Sequence, residues 1–306
     1  MEIQKEKLLQ LPTPIEPLVT DNRNQYYIKR DDLTGFALGG NKARKLEYYL
    51  ADALAQKADT LVTYGSENSN HCRVVAAAAA RYGLDCLIIC STGYKPEYAG
   101  NTIMIELLGA EFVSCSVDEV SATVDAVMDK LKADGKTPYY IWGGGHGILG
   151  THAYVECYNE LKEGAFDYIF LSSGTGTTQA GLVSGKLLAN GREQIVGLSI
   201  ARKNPYGRQI IWEAVKSYMA FAGHQEPVPL EEIEFCDNYI FGGYAQGDEG
   251  VTADIAQMLK DNSIVTDPVY TGKAYSAMKR YIEKHQIAEK RILFLHTGGL
   301  PIFFSR

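Results

Sequence analysis

The chain has 306 residues, 46% of them hydrophobic, enough for one large or two modest cores, and a formal net charge of −7. With that charge and no run of Lys or Arg, a nucleic-acid or anionic-membrane surface is excluded as an expectation. The longest nearly uncharged apolar run, Val74 to Ala80, is far short of the roughly 20 residues of a bilayer crossing, and the opening MEIQKEKLLQLPTP lacks a secretory pattern, so a cytoplasmic protein without membrane segments is expected.

In chain order, the first informative stretch is Ile28 to Leu54, IKRDDLTGFALGGNKARKLEYYLADAL. An extended segment leads through Gly35, Gly39 and Gly40 into a helix whose apolar positions Leu46, Leu50, Ala53 and Leu54 recur at helical spacing. Lys42 stands at the helix entrance, where partial positive charge disfavours an ammonium ion. A partly neutral amine there could form a Schiff base with an aldehyde; a solvated lysine beside Arg44 and Lys45 is the plainer alternative.

Beyond it, strand-like runs are expected at Thr60 to Tyr64, Cys86 to Cys90, Phe112 to Ser114, Tyr139 to Trp142, Tyr168 to Leu171, Ile195 to Ile200 and Arg291 to His296. Helical patterns fall between them at Ser69 to Arg81, Tyr98 to Leu108, Val120 to Ala133, His152 to Lys162, Thr178 to Leu188 and Gln209 to Phe221. This alternation predicts an α/β fold with mainly parallel sheets.

Three turns carry chemistry. GSENSNHCR, Gly65 to Arg73, puts small polar residues before an alanine-rich helix, either as an anion site or as ordinary capping by Ser69 or Asn70. SSGTGTTQAG, Ser172 to Gly181, follows an apolar strand and suits one phosphate; it lacks the Lys-Ser/Thr of a nucleotide loop. Trp142 to Gly147, WGGGHG, is a second glycine cluster, a hinge or a substrate contact, with no role assigned to His146. Further on lie Tyr244, the run DPVYTGKA from Asp267 to Ala274, and HTGG from His296 to Gly299. The six cysteines show no CxxC pair and no histidine at ligand spacing, so they read as reduced thiols, and no metal site is expected.

IKRDD, GGNKARKLEY, SNHCR, the Gly/Thr loop and VYTGK with HTGG together resemble the fold-type II pyridoxal phosphate enzymes, in the branch that holds D-cysteine desulfhydrase and 1-aminocyclopropane-1-carboxylate (ACC) deaminase. The resemblance implies a two-domain, tryptophan synthase β-like fold of parallel twisted sheets with helices on both faces. Residues 43–154 would form a smaller domain inserted into a larger one made of 1–42 and 155–306, with pyridoxal 5′-phosphate in the cleft.

By position, Lys42, not Lys45, would carry the cofactor, and Ser69, Asn70 and His71 would hold the substrate carboxylate, with Asn70 at the ring's 3′ oxygen. Gly174, Thr175, Gly176, Thr177 and Thr178 would cup the phosphate. Thr271 would face the pyridine nitrogen, Thr297 the phosphate or ring edge, and Tyr270 and Tyr244 the substrate; the plainer reading of Thr271 is a helix cap after a Pro-Val-Tyr turn, and the two uses are compatible. A hydroxyl at 271, where ACC deaminases have glutamate, makes a weaker electron sink and suits β-elimination; the histidine of SNH, where they have glutamine, points the same way.

The expected activity is α,β-elimination from a small amino acid, D-cysteine first, in a homodimer. Alternatives are ACC deamination, elimination from D-serine, 3-chloro-D-alanine or cysteate, and a non-catalytic pyridoxal phosphate carrier or sensor.

Overall fold

The computed structural model describes residues 3–20, 23–91 and 100–305. Among the described residues ten strands form two sheets. The larger contains β1 (Ile15–Pro17), β2 (Gln25–Arg30), β7 (Tyr168–Ser173), β8 (Gln194–Ser199), β9 (Glu234–Cys236) and β10 (Arg291–His296), in the order β1-β2-β10-β7-β8-β9. The smaller contains β3 (Thr60–Tyr64), β4 (Asp85–Cys90), β5 (Glu111–Ser114) and β6 (Pro138–Ile141), in the order β5-β4-β3-β6. Every pairing is parallel except β1 with β2.

Central strands such as RILFLH (β10) are buried along nearly their whole length, as strands of a parallel sheet covered on both faces must be. The covering helices are α1 (Asn41–Ala55), α2 (Asn70–Tyr82), α3 (Gly100–Leu107), α4 (Val120–Ala133), α5 (Ile148–Asn159), α6 (Thr177–Ala189), α7 (Tyr206–Phe221), α8 (Glu249–Asn262), α9 (Thr271–Lys284) and α10 (Leu300–Phe303). The helix expected from Tyr98 begins at Gly100 among the described residues; Tyr98 and Ala99 lie outside them.

One apolar core, with Leu46, Leu50, Leu61, Val75 and Ile88, joins α1 and α2 to the smaller sheet. A second, with Tyr154, Leu171, Leu182 and Leu295, and a third, with Ile28, Phe170, Met278 and Phe294, cover the two faces of the larger sheet. Helix α5 runs unbroken across residues 154 and 155, the expected boundary, and Ala153, Tyr154 and Cys157 join the core of the larger sheet.

The start of α1 is fixed by a buried charged network. Arg44 donates to both oxygens of Asp31 (2.8 and 2.7 Å) and to Glu160 (2.8 and 2.9 Å), while Thr13 and Tyr154 hydroxyls donate to Asp31 (2.8 and 2.7 Å). Lys29 bridges Glu160 (2.6 Å) and the Thr13 carbonyl (2.7 Å). The IKRDD and ARK segments therefore meet as one structural unit binding β2, α1 and α5.

Candidate active site

The carboxyl ends of strands from both sheets open onto one cavity of about 1710 Å³. Tyr64 and Gly65 follow β3, Ser91 follows β4, Trp142 to Gly144 follow β6, Ser172 to Gly176 end β7, and Thr297 and Gly298 follow β10; all line it. This is the crevice where open parallel sheets bind ligands.

Lys42, the second residue of α1, reaches the cavity and donates to the Gly144 carbonyl at 3.3 Å. Burial lowers its pKa to about 8. The expected depression is present, with burial as its cause in place of the helix end. Lys45, one turn on and almost fully buried, donates to the same carbonyl at 3.2 Å. Burial, then the neighbouring Lys42, holds the Lys45 pKa well below that of a free lysine.

The turn before α2 is ordered for binding. Ser69 caps the helix, its oxygen accepting from the His71 and Cys72 amides, and lines the cavity. Asn70 Oδ1 accepts from Arg73 (2.7 Å) and Asn101 (2.9 Å), so the amide NH₂ is left to face the cavity. Thr63 gives its proton to the Ile141 carbonyl (2.7 Å), so His71 Nε2, 2.8 Å from that hydroxyl, must be the donor. Burial, then Lys42 and Lys45, keep His71 neutral by pulling its pKa well below the usual value, and Nδ1 is the ring's acceptor.

Across the cavity, α6 starts at Gly176 with no side-chain cap, so its first amides keep their hydrogen-bonding capacity for an anion. Gly174, Thr175, Gly176 and Thr178 line the cavity, and Thr178 Oγ1 accepts from Asn41 (3.0 Å). Thr177 lies one layer behind, its hydroxyl 3.0 Å from His146 Nδ1. Thr297 lines the cavity with its hydroxyl 2.9 Å from that of Ser172.

Tyr244 and Tyr270 line the mouth and share a short hydroxyl–hydroxyl bond. Burial, then the neighbouring Tyr244, raise the Tyr270 pKa well above normal, so that phenol is a proton donor at neutral pH. Thr271 is fully buried behind the cavity wall and gives its proton to Asp267 Oδ2 (2.7 Å), so its hydroxyl serves the first turn of α9, the capping use that its place after the Pro-Val-Tyr turn allowed beside a ring contact.

Sequence reasoning missed Lys45, Arg73 with Asn101, and the Gly144 carbonyl. The spacing of Lys45 from Lys42, three residues on one helix face, was the available signal; nothing in the sequence marked Asn101. The unassigned glycine cluster turns out to present Gly144 O to both amines, while the His146 carbonyl accepts from Tyr49 OH. Among the described residues no cluster of His, Cys, Asp or Glu could hold a metal, and no helix is long and apolar enough to cross a membrane.

These residues fit pyridoxal phosphate. The cavity-lining amine of Lys42 and the buried amine of Lys45 behind it lack a carboxylate partner among the described residues, the uncapped α6 end offers amides, and a side chain at Gly144 would fill the space between Thr175 and Lys42. A D-cysteine desulfhydrase of Yersinia pestis strain Pestoides F is 34% identical, covering 98% of each chain. One of Klebsiella pneumoniae subsp. pneumoniae is also 34% identical, over 98% of this chain and 95% of that one. The crystal structure of an ACC deaminase homologue superposes with a TM-score of 0.90 at 33% identity, over 99% of this chain and 94% of the other. The pyridoxal-phosphate dependent enzyme family matches residues 7–298, and the chain belongs to this family, in its fold-type II class, with pyridoxal phosphate as its cofactor.

Proposed function

We propose that the chain is a lyase that performs α,β-elimination on a small β-substituted amino acid, D-cysteine first, giving pyruvate, sulfide and ammonia. The observation that carries this reading is the meeting of Lys42, the Ser69–His71 turn, the Gly174–Thr178 loop and the Tyr244–Tyr270 pair on one cavity. When bound, pyridoxal phosphate supplies an electron sink at the substrate nitrogen, which acidifies the Cα proton.

Lys42 Nζ, with a pKa near 8, accepts that proton at a modest cost. The electron pair of the Cα–H bond becomes the Cα–Cβ double bond as the Cβ–S bond breaks and sulfur leaves with its pair. Water then hydrolyses the unsaturated amine to pyruvate and ammonia. The Ser69 hydroxyl and the start of α2 bind the substrate carboxylate, Tyr270 and Tyr244 orient the substrate, and His71 Nδ1 accepts a hydrogen bond from it. Asn70, Lys42, Gly174, Thr175, Gly176 and Thr178 hold the cofactor, with Thr177 contributing through its backbone amide.

The histidine at position 71, where ACC deaminases carry glutamine, supports this reading over ACC deamination. The reading extends to a cytoplasmic homodimer and to two domains, 43–154 and the remainder, that meet at the cavity.

The test is release of pyruvate and sulfide by the pyridoxal phosphate-loaded protein from D- and L-cysteine in parallel, with ACC as a third substrate. Release from the D form is expected. A keto acid from ACC alone would replace the reading with the deaminase, and no product from any β-substituted amino acid would leave a carrier.

A further inference from the structure

The loop carrying Tyr244 joins β9 to α8 over residues 237–248 and contains no helix or strand. Four of its residues have positive φ, Phe241 (49°), Gly242 (92°), Gly243 (133°) and Ala245 (57°), and two of these are not glycine. Such a backbone persists only where its surroundings hold it. The loop's internal backbone bonds include Gly243 N to Ile240 O (3.0 Å) and Gln246 N to Gly243 O (3.3 Å).

The outside restraint comes from α9. Lys273 is fully buried, with no carboxylate partner among the described residues, and its amine donates to the carbonyls of Gly243 (2.5 Å) and Ile200 (2.9 Å). Phe241 has the Lys273 amine 5.9 Å from its ring centroid and the Arg280 guanidinium 4.6 Å from it, and Arg280 pairs with Asp248 at 2.9 Å. A buried ammonium without a counter-ion is unfavourable, and an apolar side chain would pack there at less cost. What only an amine supplies is hydrogen bonds to two buried carbonyls. Burial pulls the Lys273 pKa to about 8, and a neutral amine still has N–H bonds for both carbonyls, so the tether survives deprotonation. The same turn of α9 that begins beside Tyr270 thus reaches back to the residue preceding Tyr244.

We propose that Lys273 is a positioning residue that fixes the Gly243 carbonyl and thereby sets the Tyr244 hydroxyl against Tyr270 at the mouth of the active site. This rests on the reading of Tyr244 and Tyr270 as substrate contacts, and the tether itself can be tested without substrate.

Lys273→Met keeps the length of the side chain and removes its donors. In the pyridoxal phosphate-loaded protein it is expected to speed amide exchange over residues 241–246 by about tenfold or more, with the core strands unchanged. It should lower kcat on D-cysteine about as much as Tyr244→Phe does, without altering cofactor absorbance. Because Lys273 acts through Tyr244, the double variant should be no more than about twofold slower than either single one.

Multiplicative losses in the double variant, or unchanged exchange over 241–246, would overturn the proposal. If the methionine variant does not fold, Lys273→Gln, which keeps one donor, should show the same two signatures at smaller amplitude, and their absence counts equally against it. If no amino acid is turned over, the exchange result alone decides the tether, and the substrate reading fails separately.

Discussion

At Gly144 the site depends on a missing side chain. Its φ is +71°, and a Cβ there would lie 2.8 Å from Thr175 Cγ2 and 3.5 Å from Lys42 Nζ. Gly144→Ala should therefore strain the turn by about 1–2 kcal/mol and intrude on the space between lysine and phosphate loop. Cofactor affinity, measured by titrating apo-protein with pyridoxal phosphate, is expected to fall tenfold or more, on the order of the 1.4 kcal/mol that a tenfold change represents. Unchanged affinity would remove Gly144 from the binding surface. The glycine cluster was visible in the sequence, but its use was not, because a carbonyl that accepts from two lysines leaves no residue-type signature. Thr271 is the converse: its position in VYTGK was legible, and only packing could reveal that Asp267 takes its hydroxyl proton.

The elements most legible in the sequence were those with long apolar runs, such as β7, β10 and α2, where burial on both faces or at helical spacing dominates composition. Helix α9 was missed although Ala274, Tyr275, Met278, Tyr281 and Ile282 recur at helical spacing and are buried, because its first turn, Thr271 to Ala274, is made of polar or small residues. Three-residue β1 and β9 are too short for periodicity.

The network around α1 was likewise hidden, since IKRDD and ARK read as surface charge until their partners Glu160 and Tyr154 are known. Arg44→Met removes the cation that Asp31 and Glu160 share and leaves the buried Asp31 carboxylate without a cation, while Glu160 keeps Lys29. We expect a loss of about 3–5 kcal/mol in denaturant unfolding at pH 7. Burial alone would raise the Asp31 pKa, but Arg44, with the Tyr154 and Thr13 hydroxyls, brings it below the ordinary carboxylate value. The stabilisation is thus complete above the unfolded carboxylate pKa and disappears as pH falls through the lower folded one. Wild type and variant should converge in acid, and a gap independent of pH would disconnect Arg44 from Asp31.

The molecule as a whole faces the carboxyl ends of two sheets toward one cleft, with the Lys42 amine in it and the buried Lys45 amine behind it, neither paired with a carboxylate among the described residues. The sequence disclosed the alternation of strands and helices, but not that β2 pairs with β10 across the entire chain. That pairing brings the two ends of the chain together in the larger sheet, beside the start of the helix that carries Lys42 and Lys45.

The charge left in the cleft has a consequence for apo-protein. The folded Lys45 pKa lies well below the value of roughly 10.4 for an unfolded lysine, so between the two the unfolded chain binds more protons. The cost of burying Lys45 is therefore full at pH values below its folded pKa, shrinks as pH rises through that window, and vanishes above the unfolded pKa. Lys45→Met should stabilise apo-protein at low pH by roughly 1–4 kcal/mol, the range seen when buried ionic groups give way to apolar ones. That advantage should fade as pH approaches 10. Saturating pyridoxal phosphate should reverse the order, because its phosphate stabilises the protein that keeps the cation more than the one that lost it. Thermal unfolding of both proteins, with and without cofactor across this pH range, decides the matter: a variant that is less stable than wild type in the apo form at every pH would make Lys45 a packing residue with no electrostatic role in the cleft.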